Sequence, residues 1–326
     1  MSSGGGGGDT PRRRSIRIAV LTYRRPDDIA AALPQLVSQA ASVTDSSTFC
    51  DIVVVDNDPE AGARELVCTF AAGADIPVHY LHEAEPGIAN ARNRALASAA
   101  DVDVLVFVDD DERPSRQWLA LLTGTYDKHR CAAVVGPVVS VFAAEPDPWI
   151  RAGRFFSRLR RPTGTAVTVA ATNNLLLDLG QVRALGLQFD PEFGISGGSD
   201  TLFTRQLHRL GGRLIWCDEA VVLDAVPPNR ATRSWVLRRA FRSGNGWSRT
   251  SLALSRGPQS RTVIRLRLTA SGLVRVVAAA ARLALGLAAQ RQDQHARGAR
   301  TLARGLGMLA GAWGYTYQEY RRSVAH

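Results

Sequence analysis

The sequence predicts an α/β fold, a mixed and mainly parallel sheet with helices on both faces, followed by a C-terminal helical extension. Three observations carry this expectation. Near-continuous Val/Ile runs recur at "SIRIAVLT" (15–22), "DIVVVDND" (51–58), "IPVHYL" (76–81) and "DVLVFV" (103–108), as in strands buried on both faces. Helix-patterned segments separate them, long enough to serve as crossovers between parallel strands. Beyond Ala231 the whole chain is helical in character.

The elements follow in order. "RPDDIAAALPQLVSQA" (25–40) reads as the first helix despite Pro34, a second runs from about Pro59 to Ala72, and "GIANARNRALASAA" (87–100) is a third. After Asp111, "SRQWLALLTGTYDKH" (115–129) reads as a helix opening on Ser115 as its cap. "CAAVVGPVVSVF" (131–142) and "TAVTVAATNNLLLD" (165–178) read as strands, and the Pro-, Arg- and Gly-rich segment 143–165 as a mobile loop between them. "FGISGGSDTLFTRQLHRLGG" (193–212) is a Gly-rich turn entering a helix at about Ser199, and "RLIWCDEAVVLDAV" (213–226) is a strand pair. Residues 262–289 form one long helix and roughly 293–322 another, ending in "GYTYQEYRR". The expected division is a disordered tail over 1–14, a catalytic domain over 15–229 and a basic helical extension over 230–326.

Composition narrows the function. A chain of 326 residues, 45% hydrophobic and 21% charged, can bury a large core. Its four cysteines are scattered, with no C-x-x-C pair and no clustered histidines, which argues against a structural zinc site and a disulfide framework. Buried thiols in a reducing cytoplasm are expected. The segment "MSSGGGGGDTPRRR" lacks the apolar core of a signal peptide, and no run of 18 uncharged apolar residues suggests an ordinary transmembrane helix.

The net charge of +10 is unevenly shared. From Pro227 to His326 there are 18 arginines against Asp293 and Glu319, whereas residues 1–226 carry 22 basic and 28 acidic groups. No nucleic-acid motif accompanies the basic part, so nucleic acid is not expected as a partner. In the 262–289 helix, Arg267, Arg275 and Arg282 fall within about 80° of one another, with Arg265 at the margin. A basic amphipathic helix suits an anionic membrane surface; an ordinary helical pair packed on the catalytic domain is the competing reading.

In doubly wound sheets ligands bind beyond the carboxyl ends of the strands. Thr22, Tyr23 and Arg25, then Asp56, Asn57 and Asp58, then Glu85, then Asp109, Asp110 and Asp111 fall there. Three adjacent carboxylates in "FVDDDERP" (107–114) repel one another unless solvated or bound to a cation. A divalent ion held through one or two carboxylates plus substrate phosphates is a common arrangement.

These motifs in this order resemble family 2 glycosyltransferases, inverting enzymes of the GT-A fold that use nucleotide-activated sugars, particularly those of bacterial surface and exopolysaccharide assembly. The similarity spans roughly residues 16–250 through "TYRRP" (22–26), "VVVDNDP" (53–59), "EPGIANARNRAL" (85–96), "FVDDDERP" and "GGSDTLFTRQLHRLGG" (197–212). It implies that Thr22, Tyr23 and Arg25 line the nucleotide pocket, that Asp56 accepts a hydrogen bond from the base, and that Gly87, Arg92 and Asn93 lie near the ribose and diphosphate. It implies a metal motif, Mn2+ or Mg2+, at Asp109 and Asp111 with Asp110 beside the donor, Asp111 being the direct ligand. Asp200 becomes the general base, while Arg239, Arg242 and Asn174 become candidate leaving-group or acceptor contacts. Structural alternatives stand beside these roles: Asp56 as a helix cap, Arg92 and Asn93 as a solvated helix face, Asp200 as a first-turn acid favoured by the helix dipole.

Two departures from the family pattern matter. Ser199 replaces the glutamate of Gly-Gly-Glu-Asp, and Ala225 stands where a histidine ligand is expected, with Asp224 beside it. The Gln-x-x-Arg-Trp motif of processive synthases is missing, "RRAFRSGN" (238–245) occupying its place. The resemblance therefore implies addition of one sugar from a nucleoside diphosphate donor, of UDP or dTDP type, to a lipid-linked or lipophilic hydroxyl acceptor, in the cytoplasm or on the inner face of the cell membrane. A sugar-nucleotide-binding or membrane-associated relative without activity is the alternative. A sugar-1-phosphate nucleotidyltransferase needs a Gly-rich basic loop after the first strand, which "LTYRRP" does not supply.

Overall fold

The computed structural model describes residues 12–317. The expected tail lies outside those residues up to position 11, but Arg14 already belongs to the first strand. The last helix ends at Ala312, short of the expected 322, and positions 318–322 lie outside the described residues.

The chain begins β1 (Arg14–Thr22), α1 (Pro26–Val43), β2 (Thr48–Asp56), α2 (Arg64–Ala72), β3 (Val78–His82), α3 (Ile88–Ser98) and β4 (Val104–Asp109). It continues β5 (Glu112–Pro114), α4 (Trp118–His129), β6 (Ala133–Val135), β7 (Val138–Phe142), α5 (Pro148–Ala152), β8 (Ala166–Val167), β9 (Asn174–Asp178) and α6 (Leu179–Ala184). Then come α7 (Ser199–Arg209), β10 (Leu214–Trp216), β11 (Val222–Val226), α8 (Arg233–Ala253), α9 (Pro258–Ala288) and α10 (Gln292–Ala312).

Eight strands form the main sheet in the order β3-β2-β1-β4-β9-β6-β10-β8. β9 runs antiparallel to both its neighbours and β8 to β10, while the remaining pairs are parallel. A second sheet has the order β5-β11-β7. Alternation of side chains explains the double burial. Ile16, Ile18, Val20, Ile52 and Val54 pack with α1 and α4 on one face. Ala19, Val53, Val55 and Phe107 pack with α3, Phe189 and Phe203 on the other.

Several local expectations change. The 131–142 strand splits at Gly136–Pro137 into β6 and β7, which join different sheets. A Cβ on Gly136 would collide with the Ala220 carbonyl and the Asn174 amide, and Pro137 has no N–H to continue a ladder. The same separation divides "RLIWCDEAVVLDAV" between β10 and β11. Gln117, not Ser115, precedes α4; the Ser115 carbonyl accepts from Trp118 N at 3.0 Å. The 143–165 segment contains α5, capped by Asp147, whose carboxylate accepts from Trp149 N at 2.8 Å. Cys50, Cys131 and Cys217 are buried as expected, whereas Cys68 is exposed.

The last three helices pack through small residues. Gly244 of α8 lies against the Arg304 carbonyl of α10, and Gly307 of α10 against the Phe241 carbonyl of α8, neither with room for a Cβ. Replacing Gly244 by alanine therefore forces the helices apart. Overpacking of this kind costs about 1–3 kcal/mol or more. Gly244→Ala is expected to lower the urea midpoint accordingly. It should also weaken the site that α8 and α10 line together, as a fall in ligand-induced thermal stabilisation would register.

Candidate functional site

The carboxyl ends of the central strands are level: Thr22 pairs in register with Asp56, and Leu21 with Asp109. Beyond this edge opens a cleft of two adjoining lobes, of about 420 and 470 Å3. Ile88, Arg92, Asp200, Arg242, Ser243 and Arg304 line both. Gly197, Gly198 and Trp247 add to the smaller lobe. Asp109, Asn173, Arg158, Arg239 and Arg300 add to the larger. Sheet edge, α3, α7, α8 and α10 thus meet at one place.

Asp200 reaches this cleft because of a turn that only glycine makes easily. Gly197 and Gly198 both adopt positive φ, 75° and 97°, immediately before α7. Asp200 then sits in the first helical turn, half-buried, with one oxygen accepting from Thr201 N at 2.6 Å. Its other oxygen makes no hydrogen bond among the described residues. Ser199 has a use of its own: fully buried, its hydroxyl accepts from Arg92 Nη1 at 2.7 Å. The guanidinium of Arg92 also lies 5.5 Å from the centre of the Phe189 ring. Arg92 is therefore a braced, buried cation facing the cleft rather than part of a solvated helix surface.

The three aspartates separate into different environments. Asp110 is buried and accepts from Thr22 Oγ1 at 2.8 Å and from Arg25 Nη1 at 3.0 Å. Burial outweighs those partners and pushes its pKa up to about 6. Asp111 stays more open, with Arg25 at 3.0 Å and Arg230 at 3.4 Å. Asp109 keeps a little solvent contact through the cleft but is otherwise surrounded by protein. Loss of water, opposed by Arg92 and reinforced by Asp111, Asp110 and Asp200, pushes its pKa up to about 7. No hydrogen bond to its carboxylate is formed among the described residues.

Next to it, Glu112 is buried; Oε1 accepts from Asn173 Nδ2 at 2.7 Å while Oε2 has no partner. Burial and then Asp109 push the Glu112 pKa well up.

Buried, under-bonded carboxylates beside an open cleft fit a hard divalent cation. Among the described residues no three His, Cys, Asp or Glu side chains form a ready cage. That suits an ion completed by water and substrate phosphates rather than by protein alone. Asp224 pairs at 2.6 Å with Arg158 of the larger lobe, and Ala225 is exposed on β11.

Several expected contacts do not reach the cleft. Asn174 is buried, its amide donating to the Pro137 and Ala220 carbonyls and its oxygen accepting from Trp118 Nε1. It clamps the two sheets with its whole amide engaged and does not reach the cleft, whereas its neighbour Asn173 lines the larger lobe. Asn93 exchanges two hydrogen bonds of 2.8 Å with the Phe189 backbone, a packing role rather than a ribose contact. Asp56 is fully buried and accepts from Asp58 N, Ala63 N and Tyr80 Oη. It holds the turn before α2, which starts only at Arg64. Thr22, buried and bonded to Asp110, is likewise a brace.

Gly87 opens α3 at φ 122° and donates to Asn57 Oδ1 at 3.1 Å. Tyr23 and Arg25 remain partly exposed at the rim.

Sequence reasoning passed over Glu112, Asn173, Arg158, Arg230, Arg300 and Arg304. The first lay inside the quoted acidic motif. Arg300 and Arg304, four apart on α10, share one face of that helix, a spacing visible in the sequence but indistinguishable there from a solvated basic stripe. In the fold, burial lowers the pKa of each, and repulsion between like guanidiniums adds to it.

This sheet order, with carboxylates and guanidiniums converging beyond its carboxyl edge, defines the GT-A architecture of sugar-transferring enzymes. Solved structures agree. The mannosyltransferase PcManGT from Pyrobaculum calidifontis, in complex with GDP-Man and Mn2+, superposes with a TM-score of 0.60 at 18% identity, covering 93% of this chain and 88% of that one. Residues 1–349 of S. aureus TarS, in complex with UDP-GlcNAc, give 0.51 at 16% identity over 89% and 90% of the two chains.

The chain belongs to glycosyltransferase family 2: residues 17–178 match Glycosyl transferase family 2. It is 37% identical over 229 residues to the succinoglycan biosynthesis protein ExoM of Rhizobium meliloti (strain 1021), spanning 70% of this chain and 72% of that protein. Glycosyltransferase AglE of Haloferax volcanii is 24% identical over 231 residues, 71% of this chain and 72% of its own.

Proposed function

We propose that this glycosyltransferase moves one sugar from a nucleoside diphosphate sugar, of UDP or dTDP type, to a hydroxyl of a lipid-linked or lipophilic acceptor, with inversion. The supporting observation is that Asp200 and Asp109 face one cleft whose remaining wall is rich in arginine. By likeness to ExoM, the pathway is exopolysaccharide biosynthesis; the basic helical extension supports the cytoplasmic face of the cell membrane as the place of work.

Asp200 accepts the acceptor's hydroxyl proton as its oxygen attacks the anomeric carbon. The bond from that carbon to the diphosphate breaks on the opposite side, its electron pair leaving with the phosphate oxygen, so one displacement inverts the centre. An aspartate suits this role by position, since it takes the proton as the new bond forms. Charge accumulates on the departing diphosphate, where preorganised cations are most effective in a water-poor site. Arg92, Arg239, Arg242, Arg300 and Arg304 supply them.

Asp109 and Asp111 would hold Mn2+ or Mg2+, whose chemistry is to neutralise further charge on the diphosphate. Ser199 orients Arg92, which gives this departure from the family pattern a constructive role.

Thermal unfolding with UDP, dTDP and GDP, each with and without Mn2+, tests donor class and metal together. A ligand present at 100 times its Kd stabilises the folded state by about 2.7 kcal/mol, or several degrees in Tm. UDP or dTDP should give the largest rise, and only with the metal. A larger response to GDP, or one indifferent to Mn2+, would reject that part of the reading.

A further inference from the structure

The expected basic amphipathic helix is present as α9, with its apolar side facing out. Its buried residues Leu268, Gly272, Ala279 and Gly286 define the side packed against its neighbours. Arg265 and Arg275 point along that packed side: Arg265 donates to the Ala312 carbonyl at 3.0 Å, and Arg275 to the carbonyl and hydroxyl of Ser271 at 3.0 Å. The outward side is apolar. Leu266, Leu273, Val274 and Val277 fall within about 100° of one another on a helical projection. They are 60%, 52%, 68% and 68% exposed. Within the most apolar stretch of this 31-residue helix only 17% is buried. A soluble domain does not ordinarily leave so continuous a stripe in water.

We propose that the outer face of α9 docks on an anionic lipid bilayer, the helix lying in the plane of the interface. This deepens the membrane part of the function proposed above and rests on it. Charge identifies the occupant. Exposed Arg256, Arg261, Arg267, Arg282 and Arg291 border the stripe and its two ends, and α9 contains no acidic residue. Lipid phosphates answer that rim. A second copy docked on the same face would set arginine against arginine. At one end Trp313 and Tyr315 are also exposed, Trp313 stacked by Arg265 at 5.6 Å, and such aromatics favour the headgroup level.

By length and composition α9 is sufficient to cross a membrane. Crossing would carry Arg267, Arg275 and Arg282 into hydrocarbon together with the packed helix α10 and its arginines, a costly arrangement. Lying flat keeps them at the surface.

Co-sedimentation of the full chain with vesicles reads this directly. Wild type should pellet with phosphatidylcholine vesicles containing about 30% phosphatidylglycerol, weakly with phosphatidylcholine alone, and less as salt rises from about 0.1 to 0.5 M. Val274→Asp/Val277→Asp should lower the partition coefficient at least about tenfold. Both positions are solvent-facing, so its unfolding temperature and its UDP response in Mn2+ should match wild type. Because vesicle binding needs no sugar transfer, loss of the catalytic reading would leave this result standing, and the reverse.

Equal binding by the variant, no wild-type binding to anionic vesicles, or resistance to alkaline carbonate extraction would each overturn the proposal, the last in favour of a spanning helix. So would a lipid-free dimer that the double substitution makes monomeric.

Discussion

Replacing Asp200 by asparagine is expected to lower kcat by about 10²–10⁴-fold, with the donor Kd unchanged. Asparagine keeps the shape and the hydrogen bond from Thr201 N but has no lone pair basic enough to accept the acceptor proton. Initial rates with a radiolabelled donor give kcat, and calorimetric titration of the nucleotide gives Kd. A rate within about threefold of wild type, below the ordinary worth of a positioned base, would remove Asp200 from the chemistry. Donor affinity falling in step with the rate would make it a binding residue instead.

The second large effect is at Asp109, where function and stability should move in opposite directions. Asp109→Asn removes a carboxylate from the metal motif, and loss of such charge stabilisation is expected to cost about 10²–10³ in transfer. The Mn2+-dependent rise in Tm with UDP should disappear. The ligand-free variant should nonetheless unfold at a higher temperature than wild type at pH 8. A carboxyl with a pKa near 7 in the folded protein, against about 4 in the unfolded chain, binds its proton more tightly when folded.

Its contribution to stability is therefore fully present below pH 4 and is lost as pH rises through 7. Asparagine carries no such slope. Asp110 and Glu112, both shifted in the same direction, remain in the two proteins, so the difference between their Tm–pH curves from pH 4 to 8 reads Asp109 together with its repulsion of Glu112. Each kcal/mol relieved amounts to roughly 2–4 °C. Parallel curves would show that the buried charge is already compensated.

The GT-A sheet was legible because burial on both faces leaves long Val/Ile runs, and β1 through β4 follow those runs closely. The acidic edge was legible for the same reason: a strand that must end in water or at a ligand announces its end. Less legible were the short strands β6, β7, β10 and β11, where a Gly-Pro step or a turn sends consecutive residues into different sheets.

Within the site, residue type did not separate Asn173 from Asn174. One lines the cleft from the turn before β9 and the other, the first residue of β9, clamps two sheets. For Asp56 the sequence left a base contact and a helix-capping role side by side, and the fold places Asp58 N and Ala63 N on its carboxylate.

By itself the sequence determined the parallel core, the family, and the presence of Asp109, Asp111 and Asp200 at strand and helix ends, because periodicity and motif order are local properties of the chain. Tertiary structure alone decided that α10 brings Arg300 and Arg304 to the same cleft as Asp200. It also decided that α9 packs Arg265 and Arg275 along protein and turns Leu273, Val274 and Val277 toward water. A helical projection fixes which residues share a side, but only packing against neighbours chooses which side is buried.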